Sequence, residues 1–378
     1  MKEKRETYLV LAPFFPSEES FRGSFIFDQL NEIRKQSNFN IEVVKIVSMF
    51  SAEKDYFFKD FLVRIFRIID FPFFIFPGVF NWVNKIRFQT FLSQRKIANI
   101  RFSHSHISYP AAYLTEDLEC KKIIQHHGLD VLQLMNGRCE LFRKIQKEFL
   151  IRNTIKHLNK ADINIGVSQL VLQHLRGYKD YVPKKEFVLY NGVDTSKFFE
   201  KETVKTNLFT IGCVANFWKI KDQITLIKSV QKILKDVSKI RLRLIGSGPT
   251  LLSCRKYVVD NNLSKYISFE SELPHERLND FYNEIDLFVL PSYYEAFGCV
   301  YVESWAANTP FIGVKGQGIS EITPDKTKML FNRNDDEDLL NKIKYFVSNN
   351  FTLSSVRDFD IRKTIHDFLL LDIFMKND

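Results

Sequence analysis

The chain has 378 residues, 45% hydrophobic and 26% charged, a balance that excludes a disordered protein and fits two domains better than one core. Five cysteines, Cys120, Cys139, Cys213, Cys254 and Cys299, lie far apart with no C-x-x-C pair, which excludes a disulfide framework and predicts free thiols in a reducing cytoplasm. The net charge of +9 sits almost wholly in residues 1 to 200, which hold 30 Lys and Arg against 22 Asp and Glu; an anionic partner such as lipid headgroups or a phosphorylated acceptor follows from that, whereas no recognised nucleic-acid module accompanies it.

Met1 to Glu6 is charged, and the apolar run Tyr8–Ala12 ends at Pro13. That is too short for a signal sequence and reads as a first strand. Strands are then predicted over Ile41–Val47, His104–Ile107, Lys122–His126, Asp162–Val167 and Phe187–Leu189, with helices over Ser24–Gln36, Cys139–Leu158 and Gln169–Leu175. Between them, Phe57, Phe58, Phe61, Leu62, Ile65, Phe66 and Ile69 recur at helical spacing with Lys59, Arg64 and Arg67 among them, so an amphipathic helix is predicted there. The aromatic run from Phe71 to Val83 follows and contains Pro72 and Pro77, reading as a loop too broken to span a bilayer. Packed on the sheet, the segment Phe57 to Val83 is ordinary core; as a basic, aromatic insertion it could contact an anionic membrane surface.

A break is predicted around Asn191 to Lys205, where Asn191-Gly192-Val193-Asp194 makes a turn and a patternless charged stretch follows. Beyond it come strands over Phe209–Val214, Arg241–Leu244, Ile267–Phe269, Leu287–Leu290 and Phe311–Gly313. Two parallel α/β sheets in series are implied, with residues 1–195 as one domain, 196–365 as the other, and 366–378 as a C-terminal helix that packs back on the first. In doubly wound sheets small ligands bind at the C-terminal ends of the strands.

The most informative run is Glu295-Ala-Phe-Gly-Cys-Val-Tyr-Val-Glu303, which follows the buried-strand pattern Asp286 to Ser292. A helix over Phe297–Ala307 would put the amides of Phe297, Gly298 and Cys299 at its start, where the dipole favours a phosphate, with Glu295 and Glu303 flanking that cradle. Taken by itself the spacing is more often two solvated glutamates. Four further pieces stand in order along the chain: His127-Gly128-Leu129-Asp130, Asn191 to Phe198, Val214-Ala215-Asn216-Phe217-Trp218-Lys219-Ile220-Lys221-Asp222, and Gly246-Ser247-Gly248. Together the five resemble the family-4 retaining glycosyltransferases, enzymes of the GT-B fold with two Rossmann-like domains facing across a cleft. The resemblance runs from about Tyr8 to Phe331.

The resemblance implies roles. Glu295 would contact the hydroxyls of the donor sugar, Glu303 the ribose, and Lys221 the donor phosphates. Gly246 and Gly248 would lie near the base, Gly23 near the diphosphate, and His127 against the donor sugar in the N-terminal domain. Asn216 stands where the family commonly has arginine, and Trp218 where some members place one instead, so a phosphate-facing guanidinium is missing; Lys219 or Arg22 would have to substitute. Gly316 to Glu321 resembles a further loop of the donor site. Asp358-Phe359-Asp360 and the acidic run Asp335 to Asp338 lack a ligand set, so no metal and no cofactor beyond the nucleotide-sugar co-substrate are expected. The implied activity is transfer of a hexose from a UDP- or GDP-sugar to a glycan or lipid-linked acceptor in surface polysaccharide synthesis, in the cytoplasm or at the inner face of its membrane. A GT-B sugar-nucleotide epimerase and a non-catalytic sugar-nucleotide-binding homologue are the alternatives.

Overall fold

The structure is a computed structural model and describes residues 5–70, 78–128, 140–203 and 207–375. The chain divides into two units, Met1–Asn191 with Thr364–Asp378, and Gly192–Lys363.

Among the described residues the first unit is built on eight strands: β1 (Thr7–Ala12), β2 (Asn40–Ser48), β3 (Tyr56–Phe58), β4 (Phe61–Ile68), β5 (Ile100–Ser105), β6 (Lys121–His126), β7 (Ile163–Gly166) and β8 (Glu186–Val188). They lie in the order β3-β4-β2-β1-β5-β6-β7-β8, parallel except for β3 against β4. Every residue of β1, Thr-Tyr-Leu-Val-Leu-Ala, is buried, as an interior parallel strand covered on both faces demands. Helices α1 (Ser24–Gln36), α2 (Asn81–Gln94), α3 (Glu140–Lys160) and α4 (Gln169–Arg176) connect the strands. α1 buries Ile26, Leu30 and Ile33 at helical spacing, and Ser168 caps α4 by accepting from the Val171 amide.

The amphipathic helix expected over Phe57 to Ile69 does not exist. Those residues form the hairpin β3–β4, with Phe58 opposite Phe61 and Phe57 opposite Leu62, turning at Lys59 (φ 51°) and Asp60. Aromatic and β-branched residues favour a strand, and β4 pairs in parallel with β2 from Val43–Val63 to Ser48–Ile68. Both of its faces carry apolar residues, which mimics helical spacing in sequence. Phe66 and Ile68 join a core cluster with Phe88 and Leu92 of α2, a helix that begins inside the stretch read as an aromatic loop. Residues 71–77 of that stretch lie outside the described residues.

Among the described residues the second unit has six strands: β9 (Phe209–Val214), β10 (Ile240–Ile245), β11 (Ile267–Glu270), β12 (Leu287–Val289), β13 (Phe311–Val314) and β14 (Leu330–Phe331). All pair in parallel, in the order β11-β10-β9-β12-β13-β14. This is the strand order of a doubly wound dinucleotide fold, whose order reverses between β9 and β12. Its helices are α5 (Gln223–Ile233), α6 (Leu251–Asp260), α7 (Leu278–Glu284), α8 (Cys299–Ala306), α9 (Lys326–Met329) and α10 (Asp336–Ser348). The acidic run Asp335 to Asp338, which lacked a metal-ligand set in sequence, is the N-cap and first turn of α10, where the Asp335 side chain accepts from the Asp338 amide.

Helix α11 (Ile361–Leu369) carries the chain back into the first unit. Before it, Asp358-Phe359-Asp360 is a structural latch: Asp360 is bound by Arg362 and Thr195, and the Val193 amide donates to the Phe359 carbonyl. After it, Phe374 packs on Phe102 with ring centroids 4.7 Å apart and on Phe368 at 4.9 Å.

Candidate donor site

In the second unit the predicted residues gather at the C-terminal ends of β9, β10, β12 and β13. Lys221 lies in a short 3-10 turn after β9, and Glu295 lies in the loop after β12. Lys221 Nζ is 2.6 Å from Glu295 Oε2, with the two side chains 23% and 16% exposed. The Tyr293 amide donates to the Ile220 carbonyl at 3.1 Å, so the two loops that flank the reversal of strand order are joined by backbone as well as by charge.

A third loop fixes Glu295 from the other side. Its amide donates to Gln317 Oε1 at 2.9 Å, and its carbonyl accepts from the Gly318 amide at 3.0 Å. A Cβ on Gly318 would stand 1.9 Å from the Ala296 carbonyl oxygen, so only glycine allows this approach. Gln317 received no role from the sequence; the glycines on either side were the available signal.

Helix α8 begins at Cys299, two residues later than expected, behind Gly298 in the left-handed region (φ 83°). Glu295 therefore sits on the preceding loop, and only Glu303 is on the helix. Phe297 is buried and serves the core. Glu303 is 7% exposed; Oε2 accepts from the Tyr282 hydroxyl at 2.9 Å and Oε1 lies 3.2 Å from His275 Nε2. Burial pushes the Tyr282 hydroxyl well above its ordinary range, and the neighbouring carboxylate adds to this, so Tyr282 remains a donor. Neither partner carries a motif, and sequence reasoning missed both.

The Gly246-Ser247-Gly248 loop follows β10. Gly246 has φ 137°, and a Cβ there would meet the Ala215 carbonyl oxygen at 2.2 Å. Gly248 similarly faces Phe217, whose amide donates to the Ser247 carbonyl at 2.7 Å. Asn216 is exposed between these contacts, and its carbonyl accepts from Gln223 Nε2 at 3.1 Å. Trp218 is 56% exposed.

The remaining two predicted residues belong to the first unit. Gly23 precedes α1 with φ 91°. His127 follows β6 with its ring 4.8 Å from that of Phe25 and 6.3 Å from that of Phe14, the residue whose carbonyl a Cβ on Gly23 would crowd at 3.1 Å. His127 Nε2 lies 3.1 Å from His106 Nδ1. His126, by contrast, points elsewhere and meets Asn164 Oδ1 at 3.3 Å. Asp130 lies outside the described residues. Among the described residues no group of His, Cys, Asp and Glu side chains could hold a metal ion, and no helix is long and apolar enough to cross a membrane.

Residues 194–362 match the family described as Glycosyl transferases group 1, and residues 31–197 match Glycosyltransferase Family 4. An uncharacterized glycosyltransferase of Methanocaldococcus jannaschii is 28% identical over 251 residues, 65% of each chain. The O-antigen chain mannosyltransferase RfbU of Salmonella typhimurium is 26% identical over 170 residues, 45% of this chain and 46% of that protein. The chain thus spans about half to two-thirds of the length of these relatives. Sucrose-phosphate synthase from Thermosynechococcus elongatus superposes with a TM-score of 0.71 at 17% identity, covering 96% of this chain and 94% of that one. Anabaena HepE, solved with UDP and glucose, does so with a TM-score of 0.68 at 15% identity, covering 96% and 98%. The two family matches run in series over nearly the whole chain, and the two doubly wound sheets have the architecture of the structural neighbours: the chain belongs to the family-4 glycosyltransferases of the GT-B fold.

Proposed function

We propose that the protein is a retaining hexosyltransferase that uses a UDP- or GDP-activated sugar and a glycan or lipid-linked acceptor. The observation that carries this reading is the Lys221–Glu295 contact at the reversal of strand order in the second sheet, between glycine loops whose backbones pack closely on the neighbouring loops. In the proposed reaction the bond from the anomeric carbon to the diphosphate oxygen breaks. The acceptor hydroxyl oxygen bonds to that carbon from the same face, and its proton passes to the departing diphosphate. Lys221 offsets the charge that grows on the diphosphate, Glu295 accepts hydrogen bonds from sugar hydroxyls, and Glu303, oriented by Tyr282 and His275, accepts from the ribose. His127 positions the sugar. No metal takes part.

The membrane reading moves with the fold. On the first unit Val79, Phe80, Trp82 and Ile86, at and before the start of α2, are exposed. With the basic charge of this half they form the surface we assign to an anionic membrane carrying a lipid-linked acceptor in surface polysaccharide synthesis.

A thermal-shift screen against UDP-, GDP-, ADP- and TDP-sugars tests the donor, since ligand binding to the folded state raises Tm. Donor hydrolysis that is lost in both Glu295→Ala and Lys221→Ala supports catalysis. Hydrolysis unchanged in both, or no shift with any nucleotide sugar, refutes the reading.

A further inference from the structure

Asn216 and Trp218 occupy the two positions where the resemblance places arginine, which leaves the donor site one guanidinium short. The fold supplies one from a part of the chain that carries no motif. The loops of the second unit follow the strand order β10-β9-β12-β13-β14. The residues assigned to the base (Gly246, Gly248), the phosphates (Lys221) and the sugar (Glu295) therefore stand on successive loops, and the loops after β13 and β14 continue that row past the sugar. Arg333 lies on the last of them, two residues beyond β14. It is exposed, and its guanidinium carbon is 4.9 Å from the centroid of the Tyr293 ring.

Tyr293 ties that guanidinium to the candidate site. Its amide donates to the carbonyl of Ile220, the neighbour of Lys221, and its carbonyl accepts at 3.4 Å from Gln317 Nε2, the side chain that also holds the Glu295 amide. At the end of the same loop, Asp336 is near enough to Asp222 to add to the rise that burial imposes on that carboxyl, so the loop after β14 runs alongside the turn that carries Lys221. Among the described residues no hydrogen bond or ion pair engages the Arg333 guanidinium. An arginine stacked on an aromatic face keeps its planar fork of N–H donors available and loses little freedom when an anion fills it. Lys219 is also close to Lys221 in the chain, but it is a compact point charge without a fork. Arg22, stacked on Phe14 at 5.4 Å, belongs to the first unit.

We propose that Arg333 is a donor-binding residue whose guanidinium, together with Lys221, holds the β-phosphate of a nucleoside diphosphate sugar, the phosphate that bears the sugar. The inference rests on the reading of Lys221 and Glu295 as the donor site. Arg333 reaches that site from the sugar end of the row of loops, so it meets the phosphate next to the sugar, and the phosphate next to the nucleoside lies beyond its reach. Two parallel N–H donations to the β-phosphate also fall where negative charge appears as the bond to the sugar breaks.

The test is isothermal titration calorimetry of the full chain with UDP, GDP, UMP, GMP and inorganic pyrophosphate. Arg333→Met binds the preferred nucleoside diphosphate, and pyrophosphate, about 10- to 100-fold more weakly than the wild type, the equivalent of hydrogen bonds to a charged group, and binds the matching monophosphate within about twofold. Arg333→Lys keeps the charge without the fork and recovers part of the loss. Tyr293→Leu removes the stacking face and weakens the diphosphate about 2- to 5-fold with the same sparing of the monophosphate; a general loosening of the loops would weaken both. Equal binding of UDP, GDP and pyrophosphate by the wild type and Arg333→Met overturns the proposal. So does an equal loss of mono- and diphosphate in Arg333→Met, or a diphosphate-specific loss found in Lys219→Met instead. A wild type that binds pyrophosphate but no nucleotide refutes the donor reading, and the pyrophosphate comparison still decides Arg333; a wild type that binds none of these probes refutes both.

Discussion

Replacing Glu295 by glutamine separates two effects that the ion pair combines. The ammonium of Lys221 is 2.6 Å from the carboxylate, and both side chains are mostly buried. Coulomb attraction at that distance is roughly 2 to 6 kcal/mol for an effective dielectric constant of about 80 to 20, of which desolvation leaves about 1 to 2 kcal/mol. A diphosphate must share the lysine with this carboxylate, so the glutamine variant returns that 1 to 2 kcal/mol to the nucleotide. UDP or GDP, without a sugar, then binds about 5- to 30-fold more tightly to Glu295→Gln than to the wild type. The same variant loses the charge-assisted hydrogen bonds to the sugar, and kcat for transfer falls by about 10²- to 10³-fold. Isothermal titration calorimetry with UDP and GDP reads the first change, and release of nucleoside diphosphate in the presence of acceptor reads the second. Lys221→Met is the control, with weaker binding of both nucleotides. If Glu295→Gln binds them no more tightly than the wild type, Lys221 does not face the phosphates.

Gly318→Ala forces apart the loops on either side of Glu295, because its Cβ meets a backbone oxygen at 1.9 Å. Overpacking of about 1 to 3 kcal/mol at about 2 to 4 °C per kcal/mol lowers Tm by about 2 to 12 °C by scanning calorimetry, and a change under 1 °C refutes the close approach. Tyr282→Phe leaves Glu303 without its buried donor, and affinity for nucleoside diphosphate falls about 3- to 10-fold by calorimetry, with no effect on binding of inorganic pyrophosphate. Transfer in the presence of EDTA proceeds at the wild-type rate; loss restored by Mg²⁺ disproves the metal-free reading. The first unit loses stability on acidification in two stages. Burial holds His157 at about 4 despite the Glu116 carboxylate beside it, below its unfolded value near 6.5, so the unfolded chain binds more protons and stability falls as pH drops from about 6.5 to 4. Burial alone would raise Glu116, but Lys160 and Lys85 outweigh it and hold the carboxyl at about 2, so its contribution, present above about 4.5, is lost between there and 2. Calorimetric Tm against pH should be shallower between 6.5 and 4.5 for His157→Phe; an unchanged slope rejects the first stage.

The sheets were legible because parallel interior strands are continuous apolar runs: Tyr8–Ala12, Phe209–Val214 and Leu287–Leu290 all fall on strands. Helix α1 was legible from the spacing of Ile26, Leu30 and Ile33. The hairpin β3–β4 was not, since a strand apolar on both faces offers no period of two to set against the helical one. In the candidate site, family resemblance pointed to Glu295 and Lys221, whereas their contact across 74 positions has no signature in periodicity. Partners such as Tyr282, His275 and His106 are ordinary residues whose significance comes only from what the fold brings beside them.

The return of α11 has a consequence for synthesis. Phe368 and Phe374 complete the aromatic cluster around Phe102 and Tyr8, and Arg101 Nη2 donates to the Phe374 carbonyl at 2.9 Å. On a ribosome adding about 5 to 20 residues per second, those rings emerge roughly 10 to 35 seconds after Asn191. The half made first is therefore finished last: its nascent sheet waits with an uncovered aromatic face while the half made second, which draws only on its own contiguous stretch, can mature ahead of it.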